Sequence, residues 1–342
     1  MRKLSRLAAL GLSGILALGL AACGGGTGTS DTPSGTESPA AGTESPAAAG
    51  ETFVVGICQQ MQHVALDEAT RGFIETLEEK LGTSVEIQEQ NASGEAANCT
   101  TIINNFVSQG VDLILCNGTT ALQAAVAATG DIPILGTSIT EYGVALGIDG
   151  FDGTTGFNVS GTSDLAPLDQ QAEMLHTWFP GAKTVGLLYC SSEPNSQYQV
   201  DTVQGYLENM GYTCTQYSFS DSNDLSAVAT TACAESDVLY VPTDNTAANN
   251  AELIGNIALD AQTPIIAGEE GICKGCGVAT LTISYYDIGY KTGEMAYEIL
   301  VNGADPATMP IEYAPQFTPK YNPTMCEALG LTPPDGYEAI AD

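Results

Sequence analysis

Strand-forming and helix-forming stretches alternate along most of this 342-residue chain, and this alternation constrains the fold more than any other feature. The first series of short, apolar, β-rich runs covers residues 53–57, 84–90, 111–115 and 132–135. Stretches typical of helices lie between them, at 66–81, 95–109 and 119–128. Strands that alternate with helices form parallel sheets with helices on both faces.

The same alternation then begins again. Segments at 144–148 and 156–161 lead to a predicted helix at 164–179. Strands are then predicted at 184–189, 213–219, 238–241, 264–267 and 278–283. Helices are predicted at 194–210, 223–234, 246–260 and 286–302, before a short strand at 311–313. Two such series predict an α/β protein of two doubly wound lobes, with a ligand cleft at the carboxyl ends of the strands.

The ends of the predicted strands are unusually polar. Because these ends should face one cleft, we treat their side chains as candidate ligand contacts. The candidates are Gln59, Asn117, Thr119, Thr120, Ser138, Ser191, Ser192, Asn195, Asp244, Glu269 and Glu270. The alternative for each is a structural role, since Asn, Ser, Thr and Asp also cap helices and form turns.

The N-terminal residues predict export and lipid anchoring. A basic stretch at 1–6 precedes an uncharged apolar run at 7–20, which is too short to span a membrane but typical of a signal peptide. The sequence Leu20-Ala21-Ala22-Cys23 then resembles a bacterial lipobox. We therefore expect a signal peptide at 1–22 and a diacylglycerol on Cys23. An ordinary signal peptide that happens to precede a cysteine is the alternative.

Residues 24–50 predict a tether. They consist mainly of Gly, Ser, Thr, Pro and Ala, and a near repeat, GTESPAA, occurs at 35–41 and 42–48. Without aromatic or large aliphatic residues this stretch cannot bury enough surface to fold. We expect residues 23–51 to hold a folded protein, beginning at residue 52, away from the membrane.

The charge balance excludes several classes of function. The chain has 9 Lys+Arg against 41 Asp+Glu, and Arg71 is the one arginine beyond the predicted signal peptide. Nucleic-acid binding requires clustered basic residues, and recognition of a phosphorylated ligand favours arginine. With two histidines far apart in the sequence, His63 and His176, a His-rich metal site is not expected either. No cofactor is expected.

Nine cysteines follow Cys23 in a compartment that permits disulfides. Cys273 and Cys276 form a CxxC between two apolar runs, which favours a structural loop disulfide over a redox pair. The odd total leaves at least one free thiol or one intermolecular bond.

Motifs of enzymes are missing from the sequence. It has no GxSxG, no P-loop, no HExxH and no GxGxxG after a strand. Glu269 and Glu270 are adjacent, and adjacent residues of an extended stretch point to opposite sides, which disfavours an acid–base pair. We therefore expect no catalytic residues.

Several sequence blocks resemble those of substrate-binding lipoproteins from bacterial ABC importers, of the type labelled tryptophan/tyrosine. The blocks are VGICQ (55–59), HVALD (63–67), ILGT (134–137), VSGTSD (159–164), PTDNT (242–246), AGEEG (267–271) and YYDIGY (285–290). The resemblance implies the class I periplasmic-binding-protein fold, with two Rossmann-like lobes joined by three hinge crossovers. We expect lobe 1 to contain residues 52–159 and 286–310, and lobe 2 residues 160–285 and 311–342.

The resemblance also implies a function. The protein would be a monomer, anchored by its lipid to the extracytoplasmic face of the cell membrane. It would capture an amino acid, aromatic by the family label, and deliver it to an ABC permease and its ATPase. The alternatives are a binding protein for a nucleoside or a sugar, and a surface hydrolase on the same scaffold.

Elementary chemistry assigns roles to the polar strand ends. The ligand ammonium needs a desolvated carboxylate, for which Asp244 is the first choice and Glu269 and Glu270 are the others. The ligand carboxylate would meet helix N-termini at Thr119-Thr120 and Ser191-Ser192. An aromatic ligand would stack on Tyr142, Tyr285 or Tyr286, unless these tyrosines pack in the hinge or core.

Overall fold

The computed structural model describes residues 52–341. The predicted signal peptide (1–22), the predicted lipidation site Cys23 and the tether lie outside the described residues. No helix in residues 52–341 is both long enough and apolar enough to cross a membrane.

Strands and helices alternate as the sequence predicts. Residues 53–163 form β1 (Phe53–Gln59), α1 (Val64–Leu81), β2 (Val85–Asn91), α2 (Ala96–Gln109), β3 (Leu113–Asn117), α3 (Thr119–Ala128), β4 (Ile134–Ile139), α4 (Tyr142–Leu146) and β5 (Val159–Ser163). Residues 168–282 form α5 (Leu168–Trp178), β6 (Thr184–Cys190), α6 (Pro194–Asn209), β7 (Thr213–Phe219), α7 (Leu225–Glu235), β8 (Val238–Val241), α8 (Asn245–Asn249), α9 (Ala251–Ala261), β9 (Ile265–Ala267), α10 (Glu270–Gly275) and β10 (Ala279–Thr282). The remainder forms α11 (Tyr285–Asn302), β11 (Glu312–Tyr313), β12 (Thr318–Tyr321), α12 (Pro323–Ala328) and β13 (Glu338–Ala339).

Two sheets build the two lobes. The sheet of lobe 1 has the order β11-β5-β4-β3-β1-β2, and all of its strands are parallel. The sheet of lobe 2 has the order β13-β12-β10-β9-β8-β6-β7, in which β12 runs antiparallel to β10. In both sheets the first strand of the series lies inside and the second at an edge, as in other doubly wound folds.

The chain crosses between the lobes three times: between β5 and α5, between β10 and α11, and between β11 and β12. The three predicted hinge crossovers are therefore present. The sheets change over after Ser163 and after Tyr313, because β5 pairs with β4 and β11 pairs with β5. These positions are later than the predicted boundaries at residues 159 and 310.

The apolar strand residues explain the buried position of the sheets. β3 and β8 are buried along their whole length, which is typical of parallel strands covered by helices on both faces. In lobe 1, one face of the sheet packs against α2 and α3, and the other against α1 and α11. The lobes thus have solid cores, and the strand ends are left to carry the site.

Helices α1 and α11 pack unusually close together, and glycines make this possible. A Cβ on Gly72 would lie 2.2 Å from the carbonyl oxygen of Tyr286, and one on Gly289 would lie 2.0 Å from that of Ala69. The contact holds α1 against α11, the helix that follows the second crossover.

The sequence missed four short elements and joined two helices. The predicted helix at 246–260 is two helices, α8 and α9, which meet at Asn250. The segment at 144–148 contains the end of helix α4, and α10, α12, β12 and β13 were not predicted.

The CxxC lies on helix α10 and its following turn, not in a loop. Cys273 and Cys276 are both buried free thiols. The other seven cysteines of the described chain are also free; six of them are buried and Cys214 is half-buried. The loop disulfide is therefore not formed in this structure. Helix α10 spaces the two residues, and the thiol of Cys276 donates to the carbonyl oxygen of Ile272.

Candidate functional site

Buried polar atoms without a hydrogen-bond partner occur mainly near the carboxyl ends of strands. Six such side-chain atoms occur in the described residues, and four of them lie at or just beyond the carboxyl ends of strands: Asn117 Oδ1, Ser138 Oγ, Asp164 Oδ1 and Asn195 Oδ1. Buried polar groups in native proteins almost always have partners, so each exception needs a reason. In this fold the carboxyl ends of the strands face the ligand cleft, so a bound ligand could provide the missing hydrogen-bond partners.

Asn117 ends β3 with its amide orientation fixed. Its Nδ2 donates to the carbonyl oxygen of Leu66 at 2.7 Å and to Thr70 Oγ1 at 2.9 Å. Thr70 in turn donates to Gln59 Oε1 at 2.6 Å. Because both amide hydrogens have acceptors, Oδ1 is the free end, and it accepts rather than donates. Both polar atoms of the Gln59 side chain, a predicted ligand contact, therefore have partners within the protein: Oε1 accepts from Thr70, and Nε2 donates to Asp67.

Ser138 sits in a strained stretch of β4. Its φ angle is 55°, in the left-handed region that residues other than glycine rarely adopt. The pairing of β4 with β5 shifts register between Gly136 and Ile139 at the same place. Such strain persists only where the surroundings impose it, and it clusters at functional sites. Here it accompanies a buried hydroxyl with no partner.

Asp164 directly follows β5, on the first crossover, and is not among the ligand contacts predicted from the sequence. Its Oδ2 accepts a hydrogen bond of 3.0 Å from the hydroxyl of Tyr285, which lies on the second crossover. Its Oδ1 has no partner. Burial raises the pKa of this carboxyl to about 6, although the Tyr285 and Thr140 hydroxyls oppose the rise. Asp164 is therefore a desolvated carboxylate at the hinge.

Asn195 supplies the free oxygen of lobe 2. It lies in the first turn of α6, and its Nδ2 faces the carbonyl oxygen of Thr243 at 3.2 Å and the carboxylate of Glu193 at 3.4 Å. These acceptors orient the amide so that Oδ1 remains unpaired.

Glu269 and Glu270 diverge, as the sequence predicts for adjacent residues. Glu269 is buried and caps α10, where it accepts hydrogen bonds from the backbone N–H groups of Gly271 and Ile272. Burial raises the pKa of Glu269 to about 7. The hydrogen bonds to its carboxylate oppose this rise, and the charges of Glu270 and Asp164 add to it. Glu270 is half-buried and pairs with Lys320 at 2.7 Å. Only Glu269 thus belongs to the buried acidic group at the hinge.

Asp244 has a structural position. One of its oxygens accepts from the N–H of Ala247 at 2.7 Å and caps α8, and the other accepts from the N–H of Cys190 at 2.7 Å. Burial raises its pKa to about 7, and the neighbouring charge of Glu193 adds to the rise. Both oxygens of Asp244 thus already accept a backbone hydrogen bond, whereas one oxygen of Asp164 has no partner.

The predicted anion sites at helix N-termini are partly occupied or turned outward. The N–H of Thr120 donates to Gln60 Oε1 at 2.8 Å, while Thr119 is buried beside it. Ser191 and Ser192 are exposed, and their hydroxyls donate to the carbonyl oxygens of Phe219 and Ser220. The structure therefore directs the serine pair to the surface near the end of β7.

Of the three tyrosines considered for stacking, one reaches the site. Tyr142 is buried in the core of lobe 1 and donates to the carbonyl oxygen of Thr162. Tyr286 is half-buried and lines the open groove described below, and the guanidinium of Arg71 lies 4.3 Å from its ring centre. Tyr285 contacts Asp164 and is buried.

An open groove of about 1210 Å³ leads from this region to the surface. Both lobes and two crossovers line it, through residues such as His63, Asn250, Glu269, Tyr285 and Gln316. Glu269 and Tyr285 therefore join the groove to the buried site. No group of three or more acidic, histidine or cysteine side chains within residues 52–341 is arranged to hold a metal ion.

The chemistry of the site suits a ligand that donates hydrogen bonds and carries a positive charge. Three of its four free atoms are acceptors, namely Asn117 Oδ1, Asp164 Oδ1 and Asn195 Oδ1. None of the ion pairs in the described part of the chain includes Asp164 or Glu269. A buried carboxylate is stable as an ion only when it is paired or hydrogen-bonded. A primary ammonium, with three N–H donors, meets this requirement.

Two lobes that close over a polar cleft define a solute-binding protein of the periplasmic type. The family described as "ABC transporter substrate binding protein" matches residues 54–342, and the chain belongs to it. The tyrosine-binding protein of Clostridioides difficile (strain R20291) is 37% identical over 252 residues, which cover 72% of each chain.

Two solved structures extend the comparison. The ABC domain from Streptococcus pneumonia, in complex with L-Trp, is 29% identical and superposes with a TM-score of 0.81 over 85% of this chain and 100% of its own. A substrate-binding protein with adhesive properties from Clostridium difficile, in its ligand-free, open form, is 35% identical but has a TM-score of 0.65, over 84% and 99%. The fold is thus the predicted class I periplasmic-binding-protein fold. As a whole, the chain superposes better on the L-Trp complex than on the ligand-free, open structure.

Proposed function

We propose that this protein binds an aromatic α-amino acid between its lobes and delivers it to an ABC permease. Asp164 carries the proposal, because it is a buried carboxylate at the hinge with one free oxygen and no cationic partner within the described chain. The ligand ammonium would pair with this oxygen. The free oxygens of Asn117 and Asn195 would accept its remaining hydrogens or a donor on the side chain, such as an indole N–H or a phenol.

The names of the similar proteins support an aromatic side chain. One relative is called tyrosine-binding, and one similar structure contains L-Trp. Both compounds combine an ammonium with an aromatic ring that bears a hydrogen-bond donor, which matches a site rich in acceptors. Binding would stabilise the closed arrangement of the lobes, and the permease would recognise that arrangement.

The proposal includes the place where the protein acts. The lipobox at Cys23 and the tether at 23–51 would anchor a monomer to the extracytoplasmic face of the cell membrane, within reach of the permease and its ATPase. Replacing Cys23 by Ser should move the protein from the membrane fraction to the soluble fraction. Wild-type protein that fractionates as soluble would contradict the anchor.

Thermal unfolding with matched compounds tests the ligand. L-tryptophan, L-tyrosine or L-phenylalanine should raise the melting temperature, because a ligand that binds the folded state stabilises it. Indole-3-propionate matches tryptophan except for the ammonium and should have no effect, since Asp164 would then face an uncharged carbon. D-amino acids serve as further controls.

The same panel includes adenosine and glucose, which represent the alternative classes of ligand. A melting shift with either of these and not with the L-amino acids would overturn the proposal. Chromatography of the incubated compounds checks for turnover, and a hydrolysed product would indicate an enzyme instead. Equal shifts with L-tryptophan and indole-3-propionate would refute the role of Asp164 while leaving the ligand class in place.

A further inference from the structure

Away from the crossovers, one side-chain hydrogen bond within residues 52–341 joins the two lobes. His63 precedes α1 in lobe 1, and its Nε2 lies 3.1 Å from Oδ1 of Asn245, the first residue of α8 in lobe 2. Burial lowers the pKa of His63, although Asn245, Glu193 and Asp67 oppose the decrease. Because the two partners belong to different lobes, a movement of the lobes away from each other would break this pair.

Glu193 fixes the direction of this hydrogen bond. One carboxylate oxygen of Glu193 accepts from the backbone N–H of Asn245 at 3.0 Å and from its Nδ2 at 2.7 Å. The other oxygen accepts from the N–H and the hydroxyl of Thr246, both at 2.8 Å. An ionised carboxylate only accepts, so the Asn245 amide must turn its NH₂ towards Glu193. Oδ1 then faces His63, and the Nε2 of His63 must carry the hydrogen.

We propose that His63 and Asn245 form a latch that stabilises the closed state, and that Glu193 is the positioning residue that holds the Asn245 acceptor ready. The latch reaches the ligand region through neighbours in sequence, because Glu193 also orients Asn195 and Asn245 follows Asp244. Its task is to slow the opening of the lobes, and thereby the release of the bound molecule. This inference rests on the proposed function for the identity of the ligand but not for the geometry of the latch.

Dissociation kinetics of L-tryptophan test the latch. His63→Leu and Asn245→Ala each remove one partner, and a net hydrogen bond is worth about 0.5–1.5 kcal/mol, so each should speed release about two- to tenfold. The double variant should release no faster than either single variant, since they remove the same contact. His63→Gln keeps an N–H donor and should restore much of the slow release. Melting curves of all variants control for folding.

Nitrogen NMR of the imidazole gives a second readout that a merely structural histidine would not provide. The chain has two histidines, so a His63→Gln sample assigns the spectrum. In the closed protein His63 should be the neutral Nε2–H tautomer, and Asn245→Ala or Glu193→Gln should shift its Nε2 signal. A His63 spectrum that Asn245→Ala leaves unchanged, with and without L-tryptophan, overturns the latch. If Asn245→Ala shifts the His63 signal but the wild-type protein binds no L-tryptophan, only the proposed ligand is overturned.

Discussion

Replacing Asp164 by Asn should make the protein more stable and its binding weaker, and these opposite effects form the sharpest test of the site. The substitution removes the charge and keeps an oxygen that accepts from the Tyr285 hydroxyl, which donates to Asp164 at 3.0 Å. The shape of the side chain is nearly unchanged. The two effects therefore report on the loss of the charge together with the loss of one acceptor oxygen.

The gain in stability follows from the pKa. Burial raises the pKa of Asp164 from 3.8 to about 6, so the folded protein holds this proton more tightly than the unfolded chain does. The resulting stability is fully present below about pH 4 and is lost as the pH rises through about 6, a loss of about 3 kcal/mol at most by pH 8. Asn carries no charge to desolvate. The free energy of unfolding without ligand should therefore rise towards that limit at pH 8.

The loss of binding follows from the pairing. Removing one partner of a buried, hydrogen-bonded charge pair costs about 2–5 kcal/mol, which corresponds to an affinity about 30-fold to several thousand-fold lower. Isothermal titration with L-tryptophan at pH 8 measures this loss, and urea unfolding measures the stability.

Asp244→Asn is the matched control. Asp244 is equally buried, but its oxygens bind the N–H groups of Ala247 and Cys190, so its substitution should change stability and leave the Kd within about threefold. If Asp164→Asn binds like wild type while Asp244→Asn loses binding, Asp244 holds the ammonium and the reasoning from free oxygens is wrong. If both lose binding equally, the site depends on the total charge of the cleft and not on one carboxylate.

Three further predictions concern strain, packing and pH. Ser138→Gly should raise the free energy of unfolding by about 1 kcal/mol, because it relieves the positive φ. The same substitution should weaken L-tryptophan binding about fivefold, and binding as tight as or tighter than that of the wild type would show that the hydroxyl does not contact the ligand. Gly72→Ala should lower the free energy of unfolding by about 1–3 kcal/mol, because its Cβ would collide with the Tyr286 carbonyl, whereas Gly205→Ala, in an open helical position, should raise it by about 0.5–1 kcal/mol; equal urea midpoints for the two would contradict the close helix contact. Affinity for L-tryptophan should fall about tenfold from pH 7 to pH 5, since protonation of Asp164 below about pH 6 removes the ammonium partner, and a flat titration series over this range would argue against it.

The regular elements were predictable where an apolar run is bounded by turn-forming residues. Strands β7 and β8 and helix α3 have the bounds that the sequence predicts. The short elements carry no such signal. Helix α10 has six residues and is fixed by its Glu269 cap, and β12 contains Pro319 and Lys320 without a clear alternation. Both depend on tertiary contacts.

The site was predictable as a region but not residue by residue. Polar strand ends pointed to Asn117, Ser138 and Asn195, and the structure gives all three a free oxygen, while their contact with a ligand stays a prediction. Asp164 was not predicted as a contact, since the predicted helix at 164–179 begins with it; in the structure it directly follows β5, and α5 begins only at Leu168. The direction in which a side chain turns at a strand end decides its role, as for Asp244. That direction depends on neighbours distant in sequence.

The three crossovers have a consequence for how the chain is made. Lobe 1 needs α11 and β11, and the Thr76 hydroxyl reaches the carbonyl of Tyr290 across 214 residues of sequence. Lobe 2 needs β12 and β13, which come later still. A polypeptide that stops short of residue 312 would leave β5 and β10 as bare edges in both sheets at once, and unpaired edges promote aggregation. No single cut separates the lobes, and prematurely terminated chains should be degraded as unfolded protein instead of persisting as one finished half.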